Sequence, residues 1–174
     1  MVDVRPLTVA DAPICREAFR RMLSESFAEF PPNARRAYLD DWSEERFAER
    51  ISNVQRVMLG AFNEAQLIGM LLGSTPEAGI GTIIWLWISV AERNQGVGQT
   101  LVENGCGLYR TLDCHKVRVF SSDERNHAFY QRCGMTQEGF HLSHWWGVDF
   151  WSLGKVLYTP HKQELCSKNS KRSA

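Results

Sequence analysis

The sequence predicts a layered α/β domain, a mixed sheet of about seven strands with helices on both faces. Three observations predict it. Strand-like and helix-like apolar patterns alternate along the chain. One segment, Thr82 to Val90, is almost wholly apolar, as a central strand buried on both faces is. That segment then runs through a polar turn into two glycines and a leucine-bearing helix.

Taken in order, Val2 to Leu7 alternates like a short strand. Thr8 to Asp11 offers capping residues and Pro13 a helix start, and Ile14, Ala18, Phe19 and Leu23 recur at helical spacing to about Glu25. The Pro31-Pro32 pair makes Phe27 to Arg35 read as irregular. Ser43 to Ser52 reads as a second helix with Phe47 and Ile51 inward. Val54 to Phe62 and Gln66 to Ser74 read as strands joined at Asn63-Glu64-Ala65. Gly79 and Gly81 break the chain before the apolar strand. Gly98 to Leu112 reads as a helix striped by Leu101, Val102, Leu108 and Leu112. Lys116 to Ser121 is a further strand, and Glu124 to Cys133 a short helix stopped by Gly134. Two last strands, Thr136 to Leu142 and Asp149 to Leu157, flank a turn at Gly147. Residues 1–160 form one domain on this reading, and 161–174, with Lys168-Asn169-Ser170-Lys171-Arg172, a short polar tail.

Composition excludes several classes. Twenty basic and twenty acidic residues in 174 leave no net charge, against the basic bias of a duplex nucleic-acid binder. No stretch approaches the roughly 20 apolar residues of a membrane helix. The start, Met1-Val2-Asp3-Val4-Arg5, lacks a signal-peptide core, so the cytoplasm is the expected compartment. Cys15, Cys106, Cys114, Cys133 and Cys166 contain no CxxC pair and read as lone thiols rather than disulfides or a zinc site. His141 and His144 lie on strand-like sequence, where odd spacing puts them on opposite faces, so no metal is expected.

The chemistry concentrates in Arg93-Asn94-Gln95-Gly96-Val97-Gly98, which follows the apolar strand and opens a helix. The first N–H groups of a helix lack internal partners, and with the helix dipole they hold an anion, commonly phosphate. Gly96 and Gly98, having no Cβ, let such a ligand come close to the backbone. A tight turn would use the same glycines. No Lys completes a GxxxxGK[ST] loop, and no third glycine completes GxGxxG.

These residues resemble the GNAT superfamily of N-acetyltransferases, matching its pyrophosphate signature (Gln/Arg)-x-x-Gly-x-(Gly/Ala) at every fixed position. Downstream, Asn126-His127-Ala128-Phe129-Tyr130-Gln131-Arg132-Cys133-Gly134-Met135 resembles that family's second signature, with Met135 where phenylalanine is usual. The resemblance implies a sheet splayed at the site of acetyl-coenzyme A. It implies that Arg93, Asn94, Gln95, Gly96, Val97, Gly98 and Gln99, with the Thr100 hydroxyl, hold the pyrophosphate. Ile88, Ser89 and Val90 would pair with the pantetheine arm, a strand-end N–H from Leu86 to Ile88 would polarise the thioester carbonyl, and Asn126 would add a polar contact. Tyr130 falls where the family places its general acid, a phenol that returns a proton to the leaving thiolate. The other reading of Tyr130 is a half-buried aromatic packed under the sheet beside Phe129, and the acid role is preferred.

The acceptor side is thinner. Some members carry a general-base glutamate where this chain has Thr82. Glu25, Glu29, Asp40, Glu77, His144 and Asp149 are candidates for that task, and none is preferred. Six tryptophans are many for this length. Trp85, Trp87, Trp145, Trp146 and Trp151 fall near the expected acceptor cleft; Trp85 and Trp87 read as core, and Trp145 and Trp146 as an aromatic wall beside the amine. Glu29 lies in the segment where the family places its variable acceptor loop. The implied reaction is acetyl transfer by direct attack of an amine, borne by a small molecule or a protein. No cysteine stands beside a histidine in a nucleophile motif, which disfavours a covalent acyl-enzyme. A non-catalytic coenzyme A sensor is the alternative, and homodimerisation is left open.

Overall fold

The computed structural model describes residues 2–27 and 29–160. The tail expected at 161–174, Cys166 included, lies outside the described residues. Seven strands, β1 (Val2–Pro6), β2 (Met58–Asn63), β3 (Gln66–Gly73), β4 (Ile80–Ile88), β5 (Lys116–Ser121), β6 (Thr136–Trp145) and β7 (Val148–Val156), form one sheet in the order β1-β2-β3-β4-β5-β7-β6. Every pairing is antiparallel except β4 with β5, which is parallel.

Helices cover both faces, as the mixed pattern predicts. On one face lie α1 (Ala12–Ser26), α2 (Pro32–Asp41) and α3 (Glu44–Ser52), enclosing Phe19, Trp42, Phe47, Trp85 and Trp87. On the other lie α4 (Val97–Thr111) and α5 (His127–Arg132), over Leu101, Val102, Val117, Val119 and Leu153. Each such large apolar side chain stabilises the fold by roughly 1.5–3 kcal/mol. Among the described residues no helix is long and apolar enough to cross a membrane.

The expectation of irregular chain from Phe27 to Arg35 fails from Pro32 onward, because Pro32 opens α2. A proline at the first helical position has no N–H to lose, and its φ is already helical. Pro31 ahead of it is extended, at φ −61° and ψ 152°. Strand β2 starts at Met58 rather than Val54, since Asn53 makes a turn there: its Oδ1 accepts from Gln55 N at 3.0 Å and its carbonyl from Arg56 N at 2.9 Å.

Two features of β4 shape the site. Its register with β3 slips by one residue at Ile84, a β-bulge. A slip of one residue exchanges faces. Ile83 therefore packs under α4, while Trp85 and Trp87 pack under α1. Pairing of β4 with β5 covers only Ile80–Ile83 against Lys116–Val119, although β4 continues to Ile88. Past the bulge the two parallel strands are apart. The root of β4 is pinned by Tyr109 of α4, whose hydroxyl lies 2.8 Å from the Thr82 carbonyl and 3.0 Å from that of Ser74. Any side chain on Gly81 would run into the Tyr109 ring.

Candidate active site

The gap between β4 and β5 is lined by backbone with free donors. Ser89 N donates to Ile68 O of β3 at 2.8 Å. Because N–H direction alternates along a strand, Trp87 also faces β3, while Leu86 and Ile88 face the gap. The Ile88 carbonyl confirms that direction by accepting from Arg93 Nε at 3.3 Å. Arg93 also reaches Ser26 Oγ at 3.2 Å, tying the end of α1 to the end of β4.

The turn that follows is built for a helix start. Asn94 and Gly96 take left-handed conformations, at φ 63° and 84°. Asparagine and glycine tolerate this best. The first helical bond runs from Thr100 N to Gly96 O at 3.0 Å, which leaves Val97, Gly98 and Gln99 with outward N–H groups. The Thr100 hydroxyl is occupied, donating to the same Gly96 carbonyl at 3.2 Å. A Cβ on Gly96 would meet nothing within 4 Å, so the space above the helix end is open. A Cβ on Gly98 would lie 3.2 Å from two atoms of the Phe129 ring. Gly96 thus serves the turn and the open approach, and Gly98 also lets Phe129 pack closely.

These groups border a cleft of about 600 Å³, with Ile88, Arg93, Asn94, Gly96, Gly98 and Gln99 on one side. Arg125, Asn126, Phe129, Tyr130 and Arg132 stand opposite. Donors and cations on both sides fit a ligand bearing phosphates. Asn126 is held by its Nδ2 donating to Ser121 Oγ at 3.4 Å. Arg125 forms an exposed pair with Asp123 at 2.8 Å.

A second cavity, about 500 Å³, opens on the α1–α3 side of the splay. Its walls are aromatic: Phe27, Phe30, Tyr38, Trp42, Trp85, Phe120, Tyr130, Trp145 and Phe150. Leu86, Asn126, Tyr130 and Ser26 border both spaces, so the two meet at the splay. Tyr130 is 7% exposed, and burial, with Cys133 adding a smaller push, raises its hydroxyl above the ordinary phenol value. Among the described residues that hydroxyl forms no hydrogen bond.

The Acetyltransferase (GNAT) family model matches residues 17–135. The chain belongs to this family. No curated protein matches it. Among solved structures, it is similar to PaiA N-acetyltransferase from Thermoplasma acidophilum in complex with coenzyme A, with TM-score 0.76 and 20% identity, covering 90% of this chain and 99% of that one. It is also similar to the ribosomal-protein-S18-alanine N-acetyltransferase from Escherichia coli, with TM-score 0.70 and 15% identity over 93% and 97% of the two chains. Ard1 from Thermoplasma volcanium follows at TM-score 0.67 and 16% identity, over 91% and 99%. At these identities the likeness is one of fold, the GNAT fold.

Within that GNAT frame, Ile88, Arg93, Asn94, Gly96, Gly98, Gln99 and Asn126 line the first cleft, and the side chains of Ser89, Val90, Gln95, Val97 and Thr100 do not. Trp145, 42% exposed, borders the second cavity. Trp146 does not: it sits at the β6–β7 turn, edge-on to Tyr38 at 6.3 Å. Trp85 and Trp87 are core, and Trp85 also walls the cavity. Trp151 is misplaced by sequence reasoning; it packs on the α4–α5 face against His127 and Phe140. Glu29 stays outside the wall, accepting from Ser122 Oγ at 2.8 Å. None of Glu25, Glu29, Asp40, Glu77, His144 and Asp149 borders the cavity. Thr82 is structural, its Oγ1 accepting from Arg118 Nε at 3.0 Å. Missed were Arg125 and Arg132 on the first cleft and the α2 residues Tyr38 and Asp41 on the second. Among the described residues no group of three or more His, Cys, Asp or Glu is placed to hold a metal.

Proposed function

We propose that this chain transfers the acetyl group of acetyl-coenzyme A directly to an amine. One observation carries the reading: an aromatic cavity and a donor-lined cleft meet at the splay of β4 and β5, with Tyr130 and Leu86 belonging to both. The Thermoplasma acidophilum relative, solved in complex with coenzyme A, supports it. Bound acetyl-coenzyme A supplies an acetyl thioester, and amine plus thioester give amide plus thiol.

The residues of this chain divide the work. N–H groups of Val97, Gly98 and Gln99, with Arg125 and Arg132 opposite, receive the pyrophosphate. N–H groups of Leu86 and Ile88, facing the gap, donate to carbonyl oxygens placed there. Tyr130 holds its proton at Oη and gives it to the sulfur as the C–S bond breaks, while the nitrogen sheds one proton to water and the phenol is restored from solvent. A non-catalytic coenzyme A sensor is favoured by one observation, the lack of a free carboxylate or imidazole in the described cavity wall. Thiol release from acetyl-coenzyme A across a panel of amines tests the reading. Release that depends on one amine class supports transfer, and binding without release selects the sensor.

A further inference from the structure

The polar groups left unmatched in the aromatic cavity are donors. Its wall holds two acids, Asp41 and Asp123, and two guanidiniums, Arg50 and Arg56. Asp41 is taken by Arg50 at 2.9 Å, and Asp123 by Arg125 at 2.8 Å. Arg56 has no acid: its hydrogen bond among the described residues goes to the Gly73 carbonyl at 3.3 Å. A guanidinium carries five N–H donors, so most of its capacity is unspent. Burial, and then the charge of Arg50, lower the Arg56 pKa and outweigh the opposite pulls of Tyr109, Asp41 and Glu49, none of which forms an ion pair with it. In the same wall the Trp85 Nε1–H is buried without a partner. The half-buried Arg56 keeps donors to spare, and the buried Trp85 N–H is costly until an acceptor reaches it.

We propose that the acceptor is a small primary amine whose aromatic or apolar body ends in a carboxylate, which Arg56 receives. The inference rests on the acetyl-transfer reading above. Arg56 is anchored on Gly73, the strand partner of Ile83, whereas the free N–H groups of Leu86 and Ile88 lie further along β4. At about 3.3 Å per residue the two ends are roughly 10–15 Å apart, which suits an amine and a carboxylate separated by a ring. With Asp41 paired to Arg50 and Asp123 to Arg125, Arg56 is the wall guanidinium without an ion pair among the described residues, and its free donors favour an anionic group on the acceptor.

The test compares 4-(2-aminoethyl)benzoate with 2-phenylethylamine, which lacks the carboxylate, using thiol release and calorimetric binding to the coenzyme A complex. In the wild-type chain the benzoate should have the higher kcat/KM by about tenfold or more, the usual value of a charge-assisted contact. In Arg56→Met that ratio should fall to about one, and in Arg56→Lys it should recover in part; thermal melts check that both variants fold. Equal kcat/KM for the two amines in the wild type overturns the inference and leaves acetyl transfer standing. If coenzyme A binds but neither amine reacts, equal calorimetric affinity for the two overturns it also, and tighter benzoate binding lost in Arg56→Met upholds it. Failure of coenzyme A itself to bind removes the reading underneath.

Discussion

Replacing Tyr130 with Phe removes one hydroxyl and leaves the ring in place. Among the described residues the hydroxyl makes no hydrogen bond, so the folded state has none to lose. The stability change should stay within about 1 kcal/mol, a melting shift of at most roughly 4 °C for a chain of this size. Turnover should respond differently. Without a proton donor at the leaving sulfur, kcat should fall by about 10²-fold, close to 2.7 kcal/mol of barrier, with coenzyme affinity little changed. The pH dependence has a definite sign. Burial raises the phenol above its ordinary value near 10, so the acid form persists across neutral pH and is lost only above that value. The associated stability is likewise complete below about pH 10 and declines as pH rises further. Steady-state thiol release from pH 6 to 11, beside thermal melts, is the assay. Wild-type turnover in the Phe variant would return Tyr130 to packing, and a large melting loss would mean that its hydroxyl is structural.

The two glycines of the turn should separate: Gly96→Ala forces a left-handed alanine at about 1–2 kcal/mol and puts a methyl into open space, so calorimetry should find coenzyme A affinity lowered at least tenfold. Gly98→Val presses on Phe129, and melts should show an overpacking cost of about 1–3 kcal/mol. Trp145→Ala should raise the acceptor KM and spare coenzyme affinity; its partial exposure limits the stability loss, mainly its contacts with Phe120 and Phe150, to about 1–2 kcal/mol, against about 3–5 for a buried tryptophan. Asp11 receives Arg5 through two bonds of 2.8 and 2.9 Å and the Thr8 N–H at 2.7 Å, and these hold its carboxyl well below the usual range. Its contribution is therefore complete above about pH 4 and lost as pH falls, and Asp11→Asn, losing about 1–3 kcal/mol at pH 7, should melt close to wild type in strong acid.

Much of the cofactor side was legible because local sequence decides it. The apolar run read as a strand over Thr82 to Val90 is β4, which ends at Ile88 and leaves Val90 exposed at the start of the turn, and the turn ending in Gly96 frees the first N–H groups of α4. The acceptor side was less legible, because it is made of contacts between distant elements. Pro31-Pro32 read as a break, whereas proline at the first helical position starts α2 and brings Tyr38 and Asp41 to the cavity. The bulge at Ile84 leaves no mark in the residues, yet it decides that Trp85 faces α1 and the aromatic cavity while Ile83 faces α4. Trp151 was misassigned for the same reason, since its face depends on β7 register rather than on its neighbours in sequence. Gly98 read as a ligand or turn position, since the approach of Phe129 from α5 cannot be seen locally.

The most direct test of the central claim is a single turnover of the full chain with acetyl-coenzyme A and an accepted amine, followed by mass spectrometry of amine and protein together. The account predicts one amide formed for each coenzyme thiol released, with the protein mass unchanged throughout. That fits a cavity without a reactive thiol, since the free cysteines of the described residues are all buried. Acetyl found on the protein before it reaches the amine, or acetyl-coenzyme A left intact beside every amine offered, would contradict it.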